Sequence, residues 1–128
     1  MAEGPILDAS AVLAILFDEP GSDRVEPYLG SGGLSVVNYS EIVAQMRDHG
    51  VAADTIDGQI DRMSLTLLEF DRSVARAAGL LRPLTRDYGL SFADRACLAT
   101  ALAHGRSVVT ADRMWARLNL GLAVEIIR

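Results

Sequence analysis

The stretch Pro5-Ile-Leu-Asp-Ala-Ser-Ala-Val-Leu-Ala-Ile-Leu-Phe17 changes its period midway. An unbroken apolar run ends in an acid at Asp8, and Ala9 to Phe17 then follows a helix-compatible pattern that stops at Asp18-Glu-Pro-Gly21. This predicts a strand, a turn and a helix. The same unit recurs outward along the chain. Ser22–Leu29 reads as a short helix closed by the Gly30–Gly33 turn, and Leu34–Val37 as a strand. Asn38 to Glu41 opens a helix that runs to His49-Gly50, and Ala52–Met63 is a further helix. Leu65–Phe70 is a strand and Arg72–Leu81 a helix, with a connection through Pro83 and Tyr88-Gly89. Ser91–His104 is helical, Ser107–Thr110 a strand, Asp112–Leu118 a short helix and Ala123–Ile127 the last strand. Brief, uniformly apolar strands alternating with helices predict an α/β fold whose mostly parallel sheet is covered on both faces. In such folds a site lies beyond the carboxyl ends of the strands, near the switch in strand order.

The chain has 128 residues, half of them hydrophobic and 23% charged, the size and composition expected of one domain over residues 1–128. The single cysteine, Cys97, excludes a disulfide framework and a thiolate zinc cluster. The start at Met1 has no basic region of a signal peptide, and the longest near-apolar run, Ala9–Phe17, is about half a membrane span. A cytoplasmic location is the expectation. All 12 basic residues are arginine, which removes Schiff-base lysine chemistry, the phosphate-binding loop ending in Gly-Lys-Ser/Thr, and phosphoryl-transfer sites that pair a lysine with an aspartate. The net charge of −5 is divided unevenly: residues 1–64 carry three Arg against eleven acids, and residues 65–128 carry nine Arg against six. The second half can therefore face a phosphate backbone although the whole chain is acidic.

Four acids fall at or just after predicted strand ends: Asp8, Glu41, Asp94 and Asp112. Each has a structural explanation alone. Asp8 suits a helix N-cap, Glu41 a capping box with Asn38, Asp94 a capping box with Ser91, and Asp112 the dipole of the helix it starts. Together they ask for more, because carboxylates gathered at one sheet edge repel and need protons or a cation between them. Magnesium or manganese matches such hard oxygen donors. His49 and His104 precede glycines at predicted helix ends and read as C-terminal caps, and Cys97 on an alanine-rich helical face reads as core. Gly30-Ser-Gly-Gly33 precedes a strand and has Ser35 where a dinucleotide fingerprint needs its third glycine, so it is a turn.

The segments Ile6-Leu-Asp8-Ala-Ser-Ala11, Ser35-Val-Val-Asn-Tyr-Ser-Glu41-Ile-Val43, Leu90-Ser-Phe-Ala-Asp94-Arg-Ala-Cys-Leu-Ala99 and Val109-Thr-Ala-Asp112-Arg-Met-Trp115 resemble the four signature segments of PIN-domain ribonucleases of the VapC toxin type. The resemblance spans essentially the whole chain. It implies a three-layer α/β/α sandwich with about five strands, Mg²⁺- or Mn²⁺-dependent endoribonuclease activity on RNA, and a homodimer. It also implies a cognate VapB-type antitoxin, bound in a heterotetramer or larger complex. The acidic quartet carries over to Asp8, Glu41, Asp94 and Asp112, with Ser10, Asn38 and Thr110 at the flanking polar positions. Arginine stands where the family often has lysine, which keeps phosphate contact but alters its geometry.

The expected mechanism has Asp8 and Asp94 holding the ion most directly, Glu41 and Asp112 assisting through water or with RNA bound, and Ser10 and Thr110 steadying metal waters. Attack by water leaves a 5′-phosphate and a 3′-hydroxyl. Arg95, Arg113 and Arg117, beside the acids or one turn beyond, are candidates for phosphate contact. Other readings are a catalytically weak or inactive domain that binds protein, and a nuclease acting on other nucleic acid. For a protein-binding surface the candidates are Leu16, Phe17, Tyr28, Tyr39 and Met46, which helical spacing otherwise assigns to the core.

Overall fold

The computed structural model describes residues 3–128. Five strands, β1 (Ile6–Leu7), β2 (Gly33–Ser35), β3 (Thr66–Leu68), β4 (Val108–Thr110) and β5 (Val124–Ile126), form one sheet of order β3-β2-β1-β4-β5. Every pairing is parallel, with Ile6 opposite both Gly33 and Val108. The helices are α1 (Ala9–Leu16), α2 (Ser22–Val25), α3 (Val36–Asp48), α4 (Ala53–Asp61), α5 (Arg72–Leu80), α6 (Arg82–Thr85) and α7 (Phe92–His104).

Consecutive strand residues face opposite ways, and the two cores follow from that. Leu7, Leu34 and Val109 pack with Val12, Ile42, Met46, Ile56 and Ile60 on one face, whereas Ile6 and Val108 pack with Val74, Ala78, Leu98 and Trp115 on the other. The result is a three-layer α/β/α sandwich. The chain builds outward from β1 through β2 to β3 on one side, then crosses to β4 and β5 on the other. The switch in strand order therefore lies beside β1, immediately before Asp8.

The structure corrects three local expectations. The helix expected to open at Asn38 starts at Val36, because Ser35 leaves β2 in an extended conformation and its hydroxyl accepts from Val37 N at 3.2 Å. Val36 and Val37 are thus helical, and Asn38 sits inside the first turn, fully buried. The connection around Pro83 contains α6 and a 3₁₀ turn at Arg86–Tyr88, since proline in a first helical turn gives up only an N–H that has no helical partner. The short helix after β4 is a 3₁₀ helix over Arg113–Arg117. Among the described residues no helix is long and apolar enough to cross a membrane.

Candidate active site

At the carboxyl edge of the sheet, Asp8, Ala9, Ser10, Leu13, Glu41, Gln45, Asp94 and Asp112 line a cavity of about 250 Å³. The chain fold brings the four predicted acids together from α1, α3, α7 and the turn after β4. Asp8 is the most constrained of them, 5% exposed. Its Oδ1 accepts from Ser10 Oγ at 2.7 Å and Ala11 N at 2.9 Å, and its Oδ2 accepts from Thr110 Oγ1 at 2.5 Å. The two hydroxyls also join α1 to the end of β4: Ser10 Oγ accepts from Ala111 N at 2.9 Å and Thr110 Oγ1 from Asp112 N at 3.0 Å. Ser10 and Thr110 therefore act on Asp8 and on the backbone that carries Asp112.

Capping and clustering coexist at three of the four acids. Asp8 caps α1, Asp94 completes a capping box with Ser91 on α7, and Asp112 caps the 3₁₀ helix through Met114 N at 3.0 Å. The box ties Asp94 Oδ2 to Ser91 N at 2.9 Å and leaves Oδ1 without a hydrogen bond among the described residues. Glu41 differs from its expected capping role. Because α3 starts early, Asn38 is not a cap. Its Nδ2 donates to Glu41 Oε1 at 2.9 Å and to the Ala93 carbonyl at 3.1 Å, which links Glu41 to the residue before Asp94. Asn38 Oδ1 is buried without a partner among the described residues.

Burial pushes the Asp8 carboxyl up to about 6, against the opposing pull of its hydrogen bonds, and repulsion from Asp94 adds to the rise. Burial likewise raises Glu41, with Asn38 pulling it back and Asp94 again raising it. Directly beneath, Cys97 is fully buried, and its thiol is held well above its usual range by burial and then by Asp8, Asp94 and Glu41. It is core, as its alanine-rich surroundings predicted. His49 and Gly105, after His104, occupy the C-cap positions of α3 and α7.

Among the described residues no arginine forms an ion pair with any of the four acids. Nor do three acidic, histidine or cysteine side chains stand close enough to cage an ion as they are. An oxygen-only donor set whose charges repel fits magnesium or manganese, which take few carboxylates directly and keep several waters. Arg95 turns from the acids toward α5, where its Nη1 donates to the Ala78 carbonyl at 3.1 Å. Arg113 Nε donates to the Arg128 carbonyl at 2.9 Å, and Arg117 is exposed. Gln45, one turn after Glu41 on α3, lines the cavity and was missed in the sequence, although its i+4 spacing from Glu41 was the available signal. Of the proposed partner-binding residues, Met46 is fully buried, and Leu16, Phe17, Tyr28 and Tyr39 pack partly buried against the same core.

The fold is a parallel α/β sandwich with acids gathered at its strand-order switch, and the PIN domain model matches residues 6–120. The chain belongs to the PIN domain family. The fold is similar to DNA-bound VapBC from Salmonella typhimurium, with a TM-score of 0.76, 18% identity and 100% of each chain covered. It is also similar to VapBC2 from Rickettsia felis bound to a DNA fragment from its promoter, with a TM-score of 0.72 and 16% identity over 94% of this chain and 96% of the other. VapBC-5 from Mycobacterium tuberculosis, described as a member of a toxin-antitoxin family, shares 23% identity with a TM-score of 0.57 over 98% of each chain. No curated protein matches the chain.

Proposed function

We propose that the protein is the toxin of a toxin-antitoxin pair, a Mg²⁺- or Mn²⁺-dependent endoribonuclease of the cytoplasm. In this reading it works as a homodimer, and a VapB-type antitoxin restrains it in a heterotetramer or larger complex. The observation that carries the proposal is the convergence of Asp8, Glu41, Asp94 and Asp112 on one cavity with, among the described residues, no basic side chain paired to them. The likeness in fold to toxin-antitoxin complexes supports the choice of toxin within the family.

Asp8 and Asp94 would hold the ion most directly, with Glu41 and Asp112 reaching it through water or when phosphate oxygens arrive. A divalent ion there supplies Lewis acidity to a phosphodiester and lowers the pKa of a water. The chain itself holds its carboxylates still. Ser10, Thr110 and Ala11 N fix both oxygens of Asp8, Ser91 N fixes one oxygen of Asp94, and Asn38 fixes one of Glu41. Each of these donors favours the ionised carboxylate, the form that binds a cation. Arg113 and Arg117, on the turn that follows Asp112, are proposed to meet RNA phosphates.

The test is incubation of the antitoxin-free protein with structured RNAs in magnesium, manganese or chelator, beside Asp94→Asn, with the product ends mapped. Discrete cuts bearing 5′-phosphates and 3′-hydroxyls, lost with chelator and in the variant, are expected. Cyclic-phosphate ends, or cutting that survives chelator, would overturn the metal mechanism. Folded protein that binds metal but leaves every RNA whole would return the domain to a protein-binding role.

A further inference from the structure

The first turn of α7 carries Asp94 toward the cavity and Phe92 toward the opposite side, two residues apart and so about 200° around the helix. Phe92 is 52% exposed, a large aromatic ring left open on the far side of α7 from the acids. It is held in place from two directions. Phe70, just beyond the end of β3, meets it edge-on with ring centroids 5.6 Å apart, and the Arg95 guanidinium lies 6.0 Å from the ring centroid. That distance is within reach of a cation–π contact.

Arg95 is itself anomalous. It is half-buried, and among the described residues its buried Nε has no partner and no carboxylate lies within 4.0 Å of it. Its Nη1 is used by the Ala78 carbonyl, and Nη2 forms no hydrogen bond among the described residues. An apolar partner laid over Phe92 would bury this unpaired charge further, at the cost of its remaining hydration. A nucleotide brings both missing features, a π-face for the ring and an anionic phosphate for the guanidinium. Charge alone does not select it, since exposed Arg72 and Arg76 on α5 are offset by exposed Glu69 and Asp71.

We infer that Phe92 and Arg95 form a stacking subsite for an unpaired base of single-stranded RNA flanking the bond to be cut. The inference rests on the proposed ribonuclease reading and names the part of the substrate this surface recognises. A base on Phe92 lies about one helix width, ~10 Å, from the acids. It therefore belongs to a neighbouring nucleotide and not to the one that is cleaved. Double-stranded RNA, whose bases are already stacked, cannot use such a platform.

The experiment measures fluorescence anisotropy of fluorescein-labelled single-stranded oligo(rA) with the full-length protein, in calcium so that the carboxylates are neutralised. Phe92→Ala weakens binding about tenfold, the order expected for one stacked base, while Phe92→Trp preserves it. Arg95→Ala also weakens binding and lowers the slope of log affinity against log salt by about one. Because the Phe92 ring is half in solvent, Phe92→Ala should keep its circular dichroism and melting temperature. Unchanged oligo(rA) affinity in Phe92→Ala overturns the subsite, and so does wild-type protein that binds no oligo(rA). If that variant instead changes the mass in light scattering with RNA affinity intact, the surface belongs to a second copy of this chain. Wild-type protein that binds oligo(rA) with the Phe92→Ala defect but never cuts RNA would sustain the subsite and remove the ribonuclease reading. Cutting with unimpaired Phe92→Ala binding would do the reverse.

Discussion

Asp8 shows how one residue serves both the fold and the site. Its hydrogen bonds to Ser10, Thr110 and Ala11 favour the anion, yet burial outweighs them and leaves the carboxyl near 6 in the metal-free protein. The folded pKa lies above the ordinary aspartate value of 3.8, so the folded state binds more protons between about pH 4 and 6. Asp8 therefore penalises metal-free stability progressively as pH rises through that window, by up to about 3 kcal/mol once it is ionised. Melting curves of chelated protein should lose stability from this group between pH 4 and 6. Asp8→Asn should be more stable than wild type in chelator at pH 7. Magnesium should raise the melting temperature of the wild type and leave that of the variant nearly unchanged. A chelated Asp8→Asn protein no more stable than wild type at pH 7 would show that the buried charge is already neutralised by other means.

At the scale of elements, the caps decide where the acids point. The α7 capping box fixes the first turn that carries Asp94, with Asp94 N donating to Ser91 Oγ at 3.2 Å. Removing that hydroxyl in Ser91→Ala should cost about 1 kcal/mol in denaturant unfolding. It should also weaken magnesium affinity measured by calorimetry, because Asp94 loses the partner that ordered its backbone. Metal affinity equal to wild type would separate the cap from the site. The loop between α1 and α2 is constrained differently. Gly21 has φ +93°, and a Cβ there would stand 2.5 Å from the Ile127 carbonyl oxygen. Gly21→Ala should destabilise the protein by more than about 1 kcal/mol, since both the left-handed backbone and the close approach of the C-terminal segment oppose it. An unfolding midpoint like that of wild type would contradict this.

Across the whole molecule, the Arg106 clasp and the candidate site occupy opposite edges of the sheet. Arg106, with a side chain 7% exposed, donates to the Gly4 carbonyl at 2.6 Å, the Ser31 carbonyl at 3.2 Å and Glu3 Oε2 at 2.8 Å. It clasps the segments that lead into β1, β2 and β4 at their amino ends. Arg106→Ala leaves the half-buried Gly4 carbonyl without a donor and the Ser31 carbonyl with Gly4 N alone, and should cost about 1–3 kcal/mol. The carboxylates at the far edge should keep their metal affinity per folded molecule. Loss of metal affinity in the folded variant would show that the two edges are coupled.

The alternation of short apolar strands with helices, and the acids just after β1 and β4 and early in α3 and α7, were readable from the chain because burial on both faces and helix capping are local demands on residue type. The strands, the helices of α1, α4, α5 and α7, and all four acids of the cavity were legible on those grounds. What local pattern could not decide was which local solution a residue adopts when two are open. Val36 and Val37 suit a strand, yet Ser35 caps a helix there, and that shift turned Asn38 from a cap into a buried link between Glu41 and α7. Arg95 stands next to an acid in sequence, but a step of 100° along α7 carries it to Ala78 and Phe92 instead. Residue type and period determined the layers and the candidate acids of this protein. Only the packing of α3, α5 and α7 around the sheet decided which side chains meet, because contact between elements depends on helix phase and crossing geometry that no single segment contains.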